Sequence, residues 1–168
     1  FFARGKKAFP GLHFQINLLR PKSTGTVRLK SSNPDDDLQI NPNWFSDLSD
    51  MDDLVEGMKH TREVLSKPSL SKIVSDELLP GKNVKNDEDM KESIRNHVQT
   101  GHHPASTCAM GSDNNKLAVL DEKLRVKGIK NLRVVDASSF PDMISGNINA
   151  SVIMLAEKAA DMILQNIN

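Results

Sequence analysis

The chain has 168 residues, which is long enough for one hydrophobic core but too short for two. Its 22 Lys and Arg residues equal its 22 Asp and Glu residues, so its overall charge favours neither nucleic acid nor an anionic membrane surface. The single cysteine excludes an internal disulfide, no metal-ligand cluster is visible, and no run approaches the roughly 18 apolar residues of a membrane span.

The first elements are predicted to be strands. Residues 12–18 alternate apolar and polar side chains, which is the period of a strand with one buried face. Pro21 and Gly25 supply turn residues, and residues 26–30 alternate again. The pattern therefore predicts an antiparallel hairpin between residues 12–18 and 26–30. A short extended piece follows at residues 40–45, and its pairing stays open.

Helices are predicted next. Asp50 is a candidate cap for a helix with an apolar stripe that ends before Pro68, and residues 70–79 favour a weaker second helix. A third helix is predicted from Asn86 to about Thr100, because three acidic residues in its first turn suit the helix dipole.

The last segment predicts a buried strand at residues 132–135 and a long helix from about Ile148 to Ile163. One strand and one helix cannot bury both of their faces without a partner sheet. We expect a boundary near Gly101.

The glycines and histidines restrict the chemistry. None of the 9 glycines forms a G-x-G-x-x-G or Walker-type loop, so another segment must bind most of any dinucleotide. Histidine is the residue type best suited to take a hydroxyl proton near neutral pH. By residue type alone, however, a surface or core role is favoured for each member of the set His13, His60, His97, His102 and His103.

Three blocks distinguish this sequence: His102–Gly111 (HHPASTCAMG), Asn131–Ser138 (NLRVVDAS) and Gly146–Ala150 (GNINA). In order and spacing they resemble the C-terminal part of the glucose-methanol-choline (GMC) flavoprotein oxidoreductases, and the choline dehydrogenase-like members most. The resemblance extends from about Leu19 to Leu164.

The resemblance implies an α+β fold in two parts. Residues 1–100 would form a substrate-binding antiparallel sheet covered by helices. Residues 101–168 would supply the loop with the catalytic histidine, then a strand and long helix that complete a Rossmann-like FAD-binding domain absent from this chain. The chain alone is therefore expected to be incomplete and inactive.

The resemblance also implies two catalytic residues. His103 occupies the position of the family's histidine before proline and would be the base. Asn147 occupies the second active-site position. His102 is interpreted as packing or supporting His103, and Ser106 stands where many members have glycine, which affects the expected loop geometry.

Three residues are implied to bind the cofactor FAD: Asp136, Ala137 and Asn149. Simpler roles remain open for several of them. Asn147 and Asn149 suit an N-cap and a turn residue, and Asp136 suits a cap or turn. Cys108 is interpreted as a small core thiol.

The implied reaction oxidises a primary alcohol to an aldehyde by hydride transfer to flavin N5. An electron acceptor such as oxygen or a quinone, and an N-terminal FAD-binding segment, are the implied partners. We expect no nucleic-acid partner and a soluble protein in the cytoplasm or at a membrane periphery. Two alternatives stay open: a non-catalytic fragment or interaction domain, and a lyase with a non-redox flavin.

Overall fold

The computed structural model describes residues 11–165, which form a mixed structure of helices and a small antiparallel sheet. The chain divides into two compact units. The first unit contains Met51–Val98 and the described residues up to Leu18, and the second contains Leu19–Asp50 and the described residues from Gln99 onward. The chain thus passes from the first unit to the second close to the predicted boundary, but residues 19–50 also belong to the second unit.

The sheet has two short strands, β1 (Thr26–Arg28) and β2 (Gln39–Asn41). They are antiparallel, with Val27 opposite Ile40. The predicted hairpin is therefore wrong in its pairing, because the partner of residues 26–28 is the extended piece whose pairing was open. Every residue of both strands is exposed, so no described helix covers this sheet. Gly25 permits the backbone before β1 to lie close to the end of β2, since a Cβ there would lie 2.2 Å from the backbone oxygen of Asn41.

Residues 12–18 do not form the predicted strand. Ile16 instead approaches Gly57 so closely that a Cβ on the glycine would lie 2.7 Å from Ile16 Cγ2. Leu12 and Phe14 are exposed. Alternation alone cannot make a strand, because a strand also needs a neighbour for its backbone hydrogen bonds.

The first unit contains the helices α1 (Ser49–Ser66, which begins in the second unit), α2 (Pro68–Ser71) and α3 (Asp87–His97). The predicted first and third helices are confirmed, and Asn86 caps α3, which ends at His97. Asp50 is not the cap of α1, because the helix already begins at Ser49 and the Asp50 carboxylate accepts from the N–H groups of Lys22 and Ser23. The second is wrong in extent: it occupies four residues that start at Pro68, and turns follow it. Lys59 of α1 forms an ion pair of 2.9 Å with Asp87 of α3.

The second unit contains α4 (Asn149–Gln165), which confirms the predicted long helix. Leu155 and Ala159 of this helix join a buried cluster with Leu120, Leu124 and Phe140. Cys108, which is half-buried, packs against this cluster, as its interpretation as a core thiol requires.

The predicted buried strand at residues 132–135 is absent from the described structure. The backbone N–H of Val134 donates to Leu124 O at 3.2 Å and that of Val126 donates to Leu132 O at 2.9 Å, but no ladder continues from them. Leu132 is 46% exposed. Within residues 11–165, no helix is both long and apolar enough to cross a membrane.

Candidate functional site

Three backbone hydrogen bonds connect the loop that contains His103 to residues 137–139. The N–H groups of Ser106, Cys108 and Met110 donate to the carbonyls of Ala137, Ser138 and Ser139 at 3.2, 2.9 and 3.0 Å. Alternate residues of the loop thus bond to consecutive residues of the 137–139 segment. These contacts bring the first two sequence blocks side by side.

Asp136 lies just before a 3-10 helix, Ala137–Ser139, and caps it. Its carboxylate accepts from the backbone N–H of Ser138 at 2.7 Å. Ser139 is fully buried and its hydroxyl donates to Val134 O at 2.8 Å. The capping role that the sequence left open for Asp136 is thus present, and its carboxylate is exposed. Ala137 is half-buried and its carbonyl receives the bond from Ser106.

His103 and Asn147 meet although they are 44 residues apart in sequence. Nε2 of His103 lies 3.2 Å from Oδ1 of Asn147, and both side chains are exposed. In this arrangement a proton on Nε2 donates to the amide oxygen. Taking a proton from an alcohol requires the other tautomer, in which Nε2 is an acceptor. The two residues predicted as catalytic are therefore brought together on an accessible surface of the second unit.

The backbone on both sides of this pair is unusual. His102 and Ser106 have positive φ angles of 60° and 69°, in the left-handed region that glycine adopts without strain. Ser106 thus has a backbone conformation suited to the glycine that the resemblance leads one to expect at this position. His102 is exposed, and its backbone N–H donates to Thr100 Oγ1 at 3.0 Å.

Asn147 and Asn149 occupy different positions at the start of α4. The side chain of Asn147 contacts His103, so it is not the cap that the simpler interpretation gave it. Asn149 is the first residue of α4 and is exposed, while the carbonyl of Ile148 accepts from Val152 N–H at 2.9 Å. The N–H groups at the start of this helix lie close in sequence to Asn147.

The histidines of the first unit have other surroundings. His97 Nδ1 lies 2.7 Å from the carbonyl of Ser93 within α3, and His60 is exposed on α1. His13 lies in the irregular segment before β1. No group of three His, Cys, Asp or Glu residues among residues 11–165 could hold a metal ion.

Sequence reasoning missed a contact of the Asn147 segment. The guanidinium of Arg20 donates through Nε to Ser145 Oγ at 2.7 Å, across 125 residues of sequence. No local pattern links residues so far apart, and Arg20 was not among the residues that the sequence singled out.

Comparison with known proteins gives consistent matches. Residues 21–156 match the model of the C-terminal part of GMC oxidoreductases. The chain is 42% identical over 162 residues to an oxygen-dependent choline dehydrogenase of Vibrio vulnificus, and 40% identical over 166 residues to an alcohol dehydrogenase [acceptor] of Pseudomonas putida. These matches cover 95% and 98% of this chain but only 29% and 30% of the two relatives.

A solved structure is also similar. An FAD-dependent oxidoreductase from Chaetomium thermophilum matches with a TM-score of 0.83 and 30% sequence identity. The match covers 88% of this chain and 26% of that protein. The chain therefore spans less than a third of the length of the relatives that it matches.

Proposed function

Because the chain belongs to the GMC oxidoreductase family, we propose that it is the C-terminal part of an FAD-dependent oxidoreductase that converts a primary alcohol to an aldehyde. The observation that carries this proposal is the contact of 3.2 Å between His103 Nε2 and Asn147 Oδ1. An imidazole and an amide, side by side and exposed, can both contact the oxygen of one hydroxyl group.

His103 acts as the base in this proposal. Its Nε2 takes the hydroxyl proton while the electron pair of the α-carbon–hydrogen bond leaves as hydride and the carbon–oxygen double bond forms. The Asn147 amide donates a hydrogen bond to the same oxygen and stabilises the negative charge that develops there. A bound flavin would supply the hydride acceptor, N5.

Three residues of the second unit are proposed to contact the flavin. Asp136 and Asn149 are both exposed, and the carbonyl of Ala137 accepts a hydrogen bond from Ser106 in the His103 loop. The N–H groups at the start of α4 provide partial positive charge for an anionic ring edge or phosphate. We assign cofactor contacts to these three residues, and the phosphate-binding glycine loop to another segment.

Two parts with different roles follow from the same proposal. Residues 1–100 would bind substrate, and residues 101–168 would supply the catalytic loop and complete a Rossmann-like FAD domain. Exposed apolar side chains on α4 support the packing of this helix against the missing FAD-binding part. Ile153, Met154 and Leu164 are each more than half exposed. Apolar surface in such quantity favours burial against another part of the protein.

The relatives suggest the substrate class. Two of them are named for choline and for alcohol, so a small primary alcohol such as choline is our first candidate. Trp44, which is 47% exposed, and Phe45 are the aromatic side chains of the second unit that we propose for contact with a quaternary ammonium group. The electron acceptor would be oxygen, a quinone or another small oxidant.

The experiment uses the flavin-loaded full-length protein under anaerobic conditions. We expect choline or another primary alcohol to bleach the flavin absorbance, and to do so more slowly when the α-carbon carries deuterium. A tertiary alcohol of matched size is the control, because it has no α-hydrogen to transfer. Product formation with no bleaching would favour a lyase, and failure of every primary alcohol would contradict the proposal.

A further inference from the structure

We infer that Arg20 is a positioning residue that holds the Asn147 amide against His103 by means of Ser145. The inference rests on the proposed function, since the pair it supports is the proposed catalytic pair. The observation that supports it most directly is the hydrogen bond of 2.7 Å from Arg20 Nε to Ser145 Oγ.

The segment from Pro141 to Ile148 has few other restraints. Among the residues that the structure describes, two side-chain hydrogen bonds connect this segment to distant parts of the chain: the Arg20–Ser145 bond and the His103–Asn147 contact. Ile144 and Ile148 pack at the edge of the buried cluster. Apart from the His103–Asn147 contact, the hydrogen bond from Arg20 is therefore the one side-chain hydrogen bond that connects the described residues between Ile144 and Ile148 to a distant part of the chain.

The conformation of Gly146 explains why the Arg20–Ser145 hydrogen bond affects Asn147. It lies between Ser145 and Asn147 and has a φ of 107°, which side chains rarely tolerate. A Cβ at Gly146 would meet nothing within 4 Å, so the backbone conformation and not the available space requires glycine there. A glycine is conformationally free, so a neighbouring contact is needed to select one direction for the Asn147 side chain.

The backbone that carries Arg20 is itself anchored. The carboxylate of Asp50, which is 2% exposed, accepts from the N–H groups of Lys22 and Ser23 at 2.9 and 2.8 Å. Burial opposes the charge of Asp50, but these N–H groups outweigh it and hold the pKa of Asp50 below its ordinary value. Pro21 adds a fixed φ between Arg20 and this anchor.

The result is a continuous set of contacts within the second unit. The Asp50 carboxylate fixes residues 22 and 23, Arg20 extends from that fixed backbone, and its guanidinium holds Ser145. Because Nε–H lies in the plane of the guanidinium, it restrains the direction of the contact as well as its length. A small shift at Ser145 would change where Asn147 presents its amide, and such shifts slow reactions that require alignment.

The test compares Arg20→Gln and Ser145→Ala in the full-length flavoprotein. We expect each to lower the limiting rate of flavin reduction by about 3- to 10-fold, the size of one lost hydrogen bond. The dissociation constant for the alcohol should change less than about 2-fold, since alignment is affected more than binding. Ser145→Thr, which keeps the hydroxyl, should retain the wild-type rate.

Combined variants distinguish positioning from a general loss of stability. Arg20→Gln with Ser145→Ala should be no slower than either alone, and Arg20→Gln should have no further effect on Asn147→Ala. Arg28→Gln is the charge-matched control, because Arg28 is exposed on β1. Additive effects, or a full effect of Arg20→Gln in the Asn147→Ala background, would overturn the inference.

A crystal structure of the Arg20→Gln holoprotein tests the inference independently of activity. We expect the distance from His103 Nε2 to Asn147 Oδ1 to exceed the 3.2 Å of this structure. An unchanged distance would overturn the positioning role even if the variant were slow. If the wild-type flavin were not reduced by any alcohol, the proposed reaction would fail, while the same distance would still decide the role of Arg20.

Discussion

The helices of the first unit have several local contacts between side chains or at their caps, whereas the proposed site in the second unit is held together by contacts between distant segments. In the first unit, Lys59 and Lys67 pair at 2.8 Å with glutamates three and four residues away, and Asn86 accepts from the N–H of Asp89 at 2.9 Å. In the second unit, Ser106 and Cys108 donate to carbonyls about thirty residues later in the chain. Local interactions help to set where these helices begin and end, whereas the proposed site requires segments that are far apart to meet.

The largest expected effect tests whether the chemistry belongs to the second unit alone. His103→Ala should lower the rate of flavin reduction by roughly 10²- to 10⁴-fold, the usual contribution of a general base. The rising limb of the pH–rate profile should disappear as well. Anaerobic stopped-flow absorbance on flavin-loaded enzyme measures both.

His97→Ala is the matched control, because His97 lies on α3 of the first unit and contacts the carbonyl of Ser93. It should keep the wild-type rate. A His103→Ala rate within a few-fold of wild type would remove this histidine from the mechanism.

The next effect concerns the distant contacts that stabilise the second unit. Leu120 is fully buried in the cluster with Phe140 and Leu155. Leu120→Ala should destabilise the second unit by about 2 to 5 kcal/mol, since it removes apolar contacts and leaves a cavity. Hydrogen exchange followed by mass spectrometry should show faster exchange in both the 105–111 and 137–139 segments. Faster exchange confined to residues near 120 would mean that these segments are stabilised independently.

Asn147→Ala should have a smaller effect than His103→Ala, and of a different kind. An amide can hydrogen-bond the substrate oxygen but cannot take its proton at neutral pH. We expect a loss of about 1 to 3 kcal/mol of transition-state stabilisation, with the rising limb of the pH–rate profile nearly unchanged. Flavin reduction measured across pH compares the two variants. If Asn147→Ala abolished that limb while His103→Ala kept it, the two roles would have to be exchanged.

The Asp50 carboxylate gives the second unit a dependence on pH. Because its pKa in the folded protein is below the ordinary 3.8, its stabilisation is present above pH 3.8 and is lost as pH falls through the lower folded value. Asp50→Asn should lower the unfolding free energy by about 1 to 3 kcal/mol at pH 7. Below pH 4, the unfolding free energy of this variant should also change less steeply with pH than that of the wild type. Urea unfolding at several pH values measures this. An unchanged slope would show that Asp50 does not contribute.

The smallest effect belongs to the first unit. Asn86→Ala removes the cap of α3 and should cost about 1 kcal/mol. Hydrogen exchange should increase mainly in the first turn of α3, because the interactions lost are local. Asn86→Asp, which keeps a capping oxygen, is the control. Faster exchange throughout Met51–Val98 would indicate that the first unit depends on this cap more than the comparison suggests.

The sequence predicted α1, α3 and α4 because their signals are local. The acidic first turn and the cap of α3 lie within four residues of each other, and the apolar period of α4 repeats along one segment. The strands were predicted poorly for the opposite reason. Residues 12–18 have the alternation of a strand, but their outcome depended on Ile16 packing against Gly57, which no local pattern contains.

The candidate site divides in the same way. The sequence by itself determined the three blocks, and with them the family, His103 and Asn147, because residue identities and their order are a property of the chain. Only the tertiary structure decided that Nε2 and Oδ1 lie 3.2 Å apart and that Arg20 holds Ser145. Contacts across 44 and 125 residues arise when a whole unit closes around its core, and sequence spacing does not contain that information.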